Sequence, residues 1–337
     1  MNINYSSLLN RSWELTKKNK WLWVYGLVLA TLGRGFNQWW IGFSGSSSGK
    51  LPKEIPPDVP QKTSQVLGQA TSAFQQWLAS VSPANWIILG LGILFFLLLC
   101  IIISWVIGAW AKGSLIAGLD KANEGQTPTL LSTSPSGIAA IKNLIVYRLM
   151  VAGFSLLIIL ILGTVFLAPG LLIAALNSQP LTIFWIIISG IVGGLSLVLT
   201  FLLLAMINIY AERLIVLHCY PPWQAWKKGL SLSKESFLPT IVMGIINQTI
   251  GWSMGCLTLI VLLVILGTPA IITLLPYFKE GFHMPSLPVF IFLFFLFLLF
   301  IYTNWLISAI LFVFRYSNWN LLFKEILSKE ETNGKQS

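Results

Sequence analysis

Charge is what this sequence has least of. Only 9% of its 337 residues are Asp, Glu, Lys or Arg, and no more than 11 are acidic. Soluble domains carry about a quarter charged residues, so a water-soluble fold of this length could not cover its surface. Cysteine is scarce as well. Cys100, Cys219 and Cys256 each lie in or beside an apolar run and no CxxC occurs. That excludes a disulfide framework or a zinc site and leaves buried apolar thiols as the expectation. The two histidines, His218 and His283, are far apart.

Catalytic constellations are missing too. Asp120, Glu124, Glu212, Glu235 and Glu280 are scattered without metal-ligand spacing, and no serine sits in a nucleophile elbow. The SGSSSGK stretch fails the phosphate-loop pattern, because Ser44 stands at the first required glycine and Leu51 follows Lys50. No long apolar run contains Asp or Glu, which weighs against a proton- or cation-coupled pump; carbonyl-lined ion sites stay open. The reading is a non-enzymatic protein with no cofactor and no metal.

What the chain does have is apolar residue, 56% of it. A transmembrane helix needs about 20 mostly apolar residues. Uncharged runs of that length end at Lys112, begin after Arg148, end at Glu212, begin at Phe237 and end at Arg315. They predict spans near 86–111, 149–175, 181–211, 237–266 and 287–314. Pro269 and Pro276 are expected to end the fourth of these. A sixth span is expected near 21–43, where the apolar residues outweigh Arg34, which lies past the midpoint and can snorkel. Cleavage of this region as a signal peptide is disfavoured, because Arg34 follows the apolar run and no small-x-small site is visible. The expected architecture is an all-α transmembrane bundle, one membrane domain over 1–337. An outer loop, 44–84, begins flexible and becomes helical towards its end, and a cytoplasmic tail covers 315–337.

The net charge of +10 does not indicate nucleic acid. The basic residues flank apolar runs, and with the N-terminus inside, 16 of the 21 Lys and Arg fall on the inner side. The positive-inside rule then places both termini in the cytoplasm. Trp21, Trp23, Trp223, Trp226 and Trp319 fall at the inner interface in this orientation.

Three basic amphipathic segments lead into apolar spans: SSLLNRSWELTKKNK, PWQAWKKGLSLSKES and, more weakly, Gly137 to Arg148. They predict three helical hairpins, unless this is simply how inner loops look. Their Lys17, Lys18, Lys20, Lys227, Lys228 and Lys234 are candidate contacts for anionic headgroups, at about 1 kcal/mol per cation. Within the spans, Asn247, Gln248, Thr303 and Asn304 form a candidate polar cluster, with plain interhelical hydrogen bonding as the alternative. Glu212 and Arg213 are expected to pair with Arg148 or Lys112. Gly190 with Gly194, and Gly251 with Gly255, allow close helix packing, and leave a homo-oligomer open.

The opening SSLLNRSWELTKKNKWLWVYGLV and the stretch AERLIVLHCYPPWQAWKKGLSLSKESFLPTIV resemble a family of bacterial multi-span proteins similar to the membrane domain attached to some glycerophosphodiester phosphodiesterases. The resemblance implies the cytoplasmic membrane of a bacterium and a role in lipid handling or membrane organisation. Without a His-Glu-Asp metal cluster, phosphodiesterase activity is not implied. The alternative function is a solute permease or exporter subunit.

Overall fold

The computed structural model describes residues 3–34, 82–175, 179–279 and 286–334. Among them every regular element is helical. The elements are α1 (Tyr5–Lys18), α2 (Leu22–Arg34), α3 (Pro83–Asn123), α4 (Leu130–Ala175), α5 (Gln179–His218), α6 (Pro222–Glu235), α7 (Phe237–Leu262), a π-helical turn (Leu263–Gly267), α8 (Thr268–Lys279) and α9 (Leu287–Gly334). Five stretches are long and apolar enough to cross a membrane, whereas Leu22–Leu32 is shorter. The chain is a polytopic integral membrane protein. The end of the first predicted span, most of the outer loop and the last three residues lie outside the described residues.

The chain divides into two compact units, 33–106 and the remainder. The described part of the first is essentially the opening of α3, whose apolar side chains from Trp86 to Val106 are exposed. The lipid bilayer is the solvent that makes such a surface stable.

In the second unit the helices are longer than a membrane is thick. At 1.5 Å per residue, the 46 residues of α4, 40 of α5 and 48 of α9 span about 60–70 Å, roughly twice the hydrocarbon core. Each has two halves. One is apolar and exposed: Leu149 to Leu172, Leu181 to Leu203 and Leu287 to Leu306. The other is packed: Thr133 to Tyr147, Leu204 to Ile215 and Ser308 to Ile326. Almost none of each apolar window is buried, so the fold's own core lies at the basic ends of the helices, not between the spans.

The segment expected as the tail is part of the packed fold. Residues 315–334 continue α9 without a break, and Leu321, Leu322, Phe323 and Ile326 are core. Lys324 pairs with Asp120 at 2.5 Å and Lys228 pairs with Glu330. The segment carries charge, and its apolar residues recur on one helical face. Pro269 and Pro276 do not end the fourth long span, contrary to expectation. Pro269 lacks an N–H and its ring crowds the carbonyl four residues back. The π turn just before it widens the helix at that point, and the helix runs on to Lys279. The cysteines are exposed rather than buried, because the faces that carry Cys100 and Cys256 point outward from their helices.

The three-hairpin expectation gains a tertiary form. Helices α1 and α6 are 14 residues each and separate from the spans that follow; the middle copy is the uninterrupted start of α4. In α1 the Thr16 hydroxyl donates to the Ser12 carbonyl at 2.8 Å, and in α6 the Ser233 hydroxyl donates to the Gly229 carbonyl at 2.7 Å. The start of α4 lies on α3, with Gly137 against the Trp110 carbonyl and the Ser114 backbone; α6 lies on α5, with Gly229 against the Ile207 carbonyl and the Ala211 backbone. Both glycines meet positions four apart on the preceding long helix. Helix α1 completes the series on α9, with Trp13 edge-on to Phe314 at 6.0 Å. Each amphipathic segment thus packs on the long helix that ends the preceding hairpin, and the first packs on the last.

Helix α3 ends in a glycine in the left-handed region, Gly125 at φ 83°, with Gln126 N–H donating to the Lys121 carbonyl and Gly125 N–H to the Ala122 carbonyl. This is the usual paired-bond helix stop. Helix α5 ends with Cys219 at φ 56°, a conformation costing a side chain about 1 kcal/mol or more. Cys219→Gly is expected to raise stability by roughly 0.5–1 kcal/mol, read as a higher unfolding midpoint in detergent micelles; a lower midpoint would mean that the thiol contributes packing of its own.

Candidate functional site

The basic end holds most of the fold's buried polar groups, brought together by the long helices. Lys112 of α3 and Glu212 of α5 form an ion pair at 2.6 Å, with side chains only 16% and 12% exposed. This realises the expected partnership of Glu212. Arg148 of α4 lies beside α3, its Nη1 3.5 Å from where a Cβ on Gly108 would be, an ordinary contact distance. Arg148 and Arg213 also stand within electrostatic reach of Glu212.

Arg213 is 2% exposed. Its Nη1 donates to the Ile209 carbonyl at 2.5 Å, one turn back on its own helix. Its guanidinium lies 5.7 Å from the centroid of the Tyr316 ring, a cation–π distance. Nε and Nη2 donate to nothing. Arg213 therefore does not pair with Arg148 or Lys112, contrary to one branch of the expectation, since all three carry the same sign.

Neutral hydrogen bonds surround these charges. The Tyr147 hydroxyl donates to Asn208 Oδ1 at 2.6 Å. Tyr210 and Thr240 share a hydroxyl hydrogen bond. Asn318 Nδ2 donates to Asn247 Oδ1 at 2.6 Å, and Asn320 Nδ2 to the Ile116 carbonyl at 3.1 Å.

The predicted intramembrane cluster is not assembled. Asn247 is buried and bonded to Asn318. Gln248, its neighbour in sequence, is exposed. Thr303 donates back to the Leu299 carbonyl and the Asn304 carbonyl accepts from Ser308. No hydrogen bond joins Asn247 or Gln248 to Thr303 or Asn304 among the described residues. The physical reason is axial register. Asn318 is 14 residues beyond Asn304, about 21 Å along a helix, and α7 meets α9 at that lower level. Asn318, Asn320 and Tyr316 escape the sequence reading because the uncharged run stops at Arg315. A signal was available: Ser317, Asn318 and Asn320 interrupt an apolar helical pattern that resumes at Leu321.

Among the described residues Gly251 is the one member of the two predicted glycine pairs that meets another helix, at Arg315 of α9. A Cβ on Gly190, Gly194 or Gly255 would meet nothing within 4 Å, and Gly251 faces the Arg315 guanidinium. It is Gly193 that packs: a Cβ there would fall 3.1 Å from the Phe166 ring.

Of the candidate lipid contacts, Lys17, Lys18, Lys20, Lys227 and Lys234 are exposed and Lys228 is half-buried against Glu330. Lys18 makes only an exposed pair with Glu14 at 3.6 Å, and Lys227 lies 5.3 Å from the Trp223 ring centroid. Among the described residues no group of three or more His, Cys, Asp or Glu side chains could hold a metal ion. No family model, no curated protein and no solved structure matches the chain.

Proposed function

We propose that this chain is a non-enzymatic membrane protein whose basic end engages anionic lipid headgroups. We place it in the cytoplasmic membrane of a bacterium, with both termini on the cytoplasmic side. The observation that carries the reading is the company the exposed lysines keep. On and beside α1 they alternate with Trp13 and Trp21, exposed by 51% and 59%; on α6 they neighbour Trp223, exposed by 50%. Cationic tips with amphipathic rings on a helix just outside the apolar runs are the chemistry of a headgroup layer. The packing of α1 on α9 puts the start and end of the chain at one face, which requires an even number of crossings. That supports α2 as the beginning of a sixth.

The permease alternative needs a polar path through the spans past Asn247 and Asn304. Their hydrogen bonds are instead made to Asn318 at the basic end and to Ser308 on the same helix.

The test is extraction into polymer nanodiscs with native lipid, followed by mass spectrometry of what co-isolates. With about 1 kcal/mol per cation, replacing Lys17, Lys20, Lys227 and Lys234 together by Gln should cut the enrichment of anionic over zwitterionic lipid roughly tenfold or more. Lys228 is left in place because Glu330 occupies it. Equal enrichment in wild type and variant would end the proposal.

A further inference from the structure

The packed end has a local charge imbalance at the level where it meets the apolar halves. Further from the spans, the half-buried Lys324 and Lys228 are matched: Lys324 has Asp120 and Glu124, and Lys228 has Glu330. Around Glu212 they are not. Lys112, Arg148 and Arg213 share that one carboxylate, and Lys112 already holds it at 2.6 Å. Among the described residues Arg148, half-buried, has no hydrogen bond and no carboxylate within ion-pair distance. Arg213 is buried with two nitrogens that donate to nothing. A guanidinium removed from water without a counter-charge is costly, and buried cations are ordinarily matched by an anion.

We infer that this cluster is an oxyanion site for a phosphate group, held by Arg148 and Lys112 at the membrane boundary with Arg213 supplying charge and free N–H donors beneath. The level fits a phosphate of the headgroup layer. Arg148 directly precedes Leu149, the first residue of the exposed apolar half of α4, and Lys112 lies five residues, about 7 Å of helix, beyond Ile107, where the exposed run of α3 ends. Guanidinium groups match phosphate oxygens with paired N–H donors. Glu212 is then the internal anion that holds the empty site together and competes with the ligand. This inference narrows the lipid reading to one site, distinct from the exposed lysines.

Thermal unfolding in alkyl maltoside micelles, which contain no phosphate, tests it with two probes: short-chain phosphatidic acid and inorganic phosphate, at matched ionic strength. A ligand that binds only the folded state raises the midpoint by mass action. The expected result is a saturable rise in wild type. Arg148→Gln and Arg213→Gln should each weaken the apparent affinity tenfold or more, and Glu212→Gln should tighten it by roughly tenfold, because a like charge beside the ligand is removed. The opposite signs separate a binding role from loss of packing. If Arg213→Gln or Glu212→Gln does not fold, Arg148→Gln, which leaves the Lys112–Glu212 pair intact, carries the comparison with wild type. A rise with the lipid alone identifies a headgroup; an equal rise with inorganic phosphate identifies a free phosphate group as sufficient. No rise with either probe overturns the site. A rise kept in both arginine variants but lost when Lys17, Lys20, Lys227 and Lys234 are replaced by Gln also overturns it, while leaving the surface lipid reading intact.

Discussion

Glu212→Ala is expected to destabilise the folded protein by about 3–5 kcal/mol, enough to abolish most of the stability of an ordinary domain. Among the described residues the carboxylate is the one anion within reach of Lys112, Arg148 and Arg213, and both members of its ion pair are largely buried. Removing it leaves Lys112 without a partner in a poorly hydrated site and takes the last compensating charge from the two arginines. Removing both members, as Lys112→Met with Glu212→Leu, should cost less than removing Glu212 alone, because one of the stranded cations disappears with it. The measurement is unfolding in mixed micelles for the two singles and the double. A Glu212→Ala loss below about 1 kcal/mol, the value of an exposed pair, would show that the pair is not buried in the folded protein.

The second large effect belongs to Gly137. A Cβ there would fall 2.6 Å from the Trp110 carbonyl oxygen and 2.8 Å from the Ser114 nitrogen, as well as onto the Ser114 hydroxyl. These are mainly backbone atoms of a neighbouring helix, and they cannot rotate away. Gly137→Ala should therefore push α4 off α3 and cost about 2–3 kcal/mol. Gly229→Ala, with 3.1 Å to the Ile207 carbonyl and 3.3 Å to the Ala211 nitrogen, should cost less. Gly153→Ala, where a Cβ meets nothing within 4 Å, should be neutral or stabilising by up to about 1 kcal/mol, since alanine is the better helix former. The rank order is the prediction. An unfolding midpoint for Gly137→Ala equal to that for Gly153→Ala would mean that the helices do not approach this closely.

Much of the architecture was legible because hydrocarbon is a simple solvent. It rewards uninterrupted apolar length, so the long spans stand where the uncharged runs do. Glu212 and its partners were legible for a related reason: charges that close an apolar run on adjacent helices arrive at similar depth. The polar groups of α9 were harder. Asn304 looked like the partner of Asn247 because both fall inside apolar runs, yet the helix crossing brings Asn318 there. Depth along a straight axis can be counted in residues, whereas the level at which two helices touch depends on tilt and on which side chains let them approach.

The sequence by itself determined that this protein is helical and membrane-embedded, where its long apolar stretches lie, and that its basic residues gather at one end of them. Only the tertiary structure decided that the packed core lies at that basic end, that residues 315–334 belong to it, and that three cations there share one carboxylate. The physical reason is the range of the forces. Transfer into lipid is additive along the chain and can be summed from residue types. Helix contact and charge balance depend on pairs a hundred or more residues apart, such as Lys112 and Glu212 or Trp13 and Phe314, whose meeting no local pattern records.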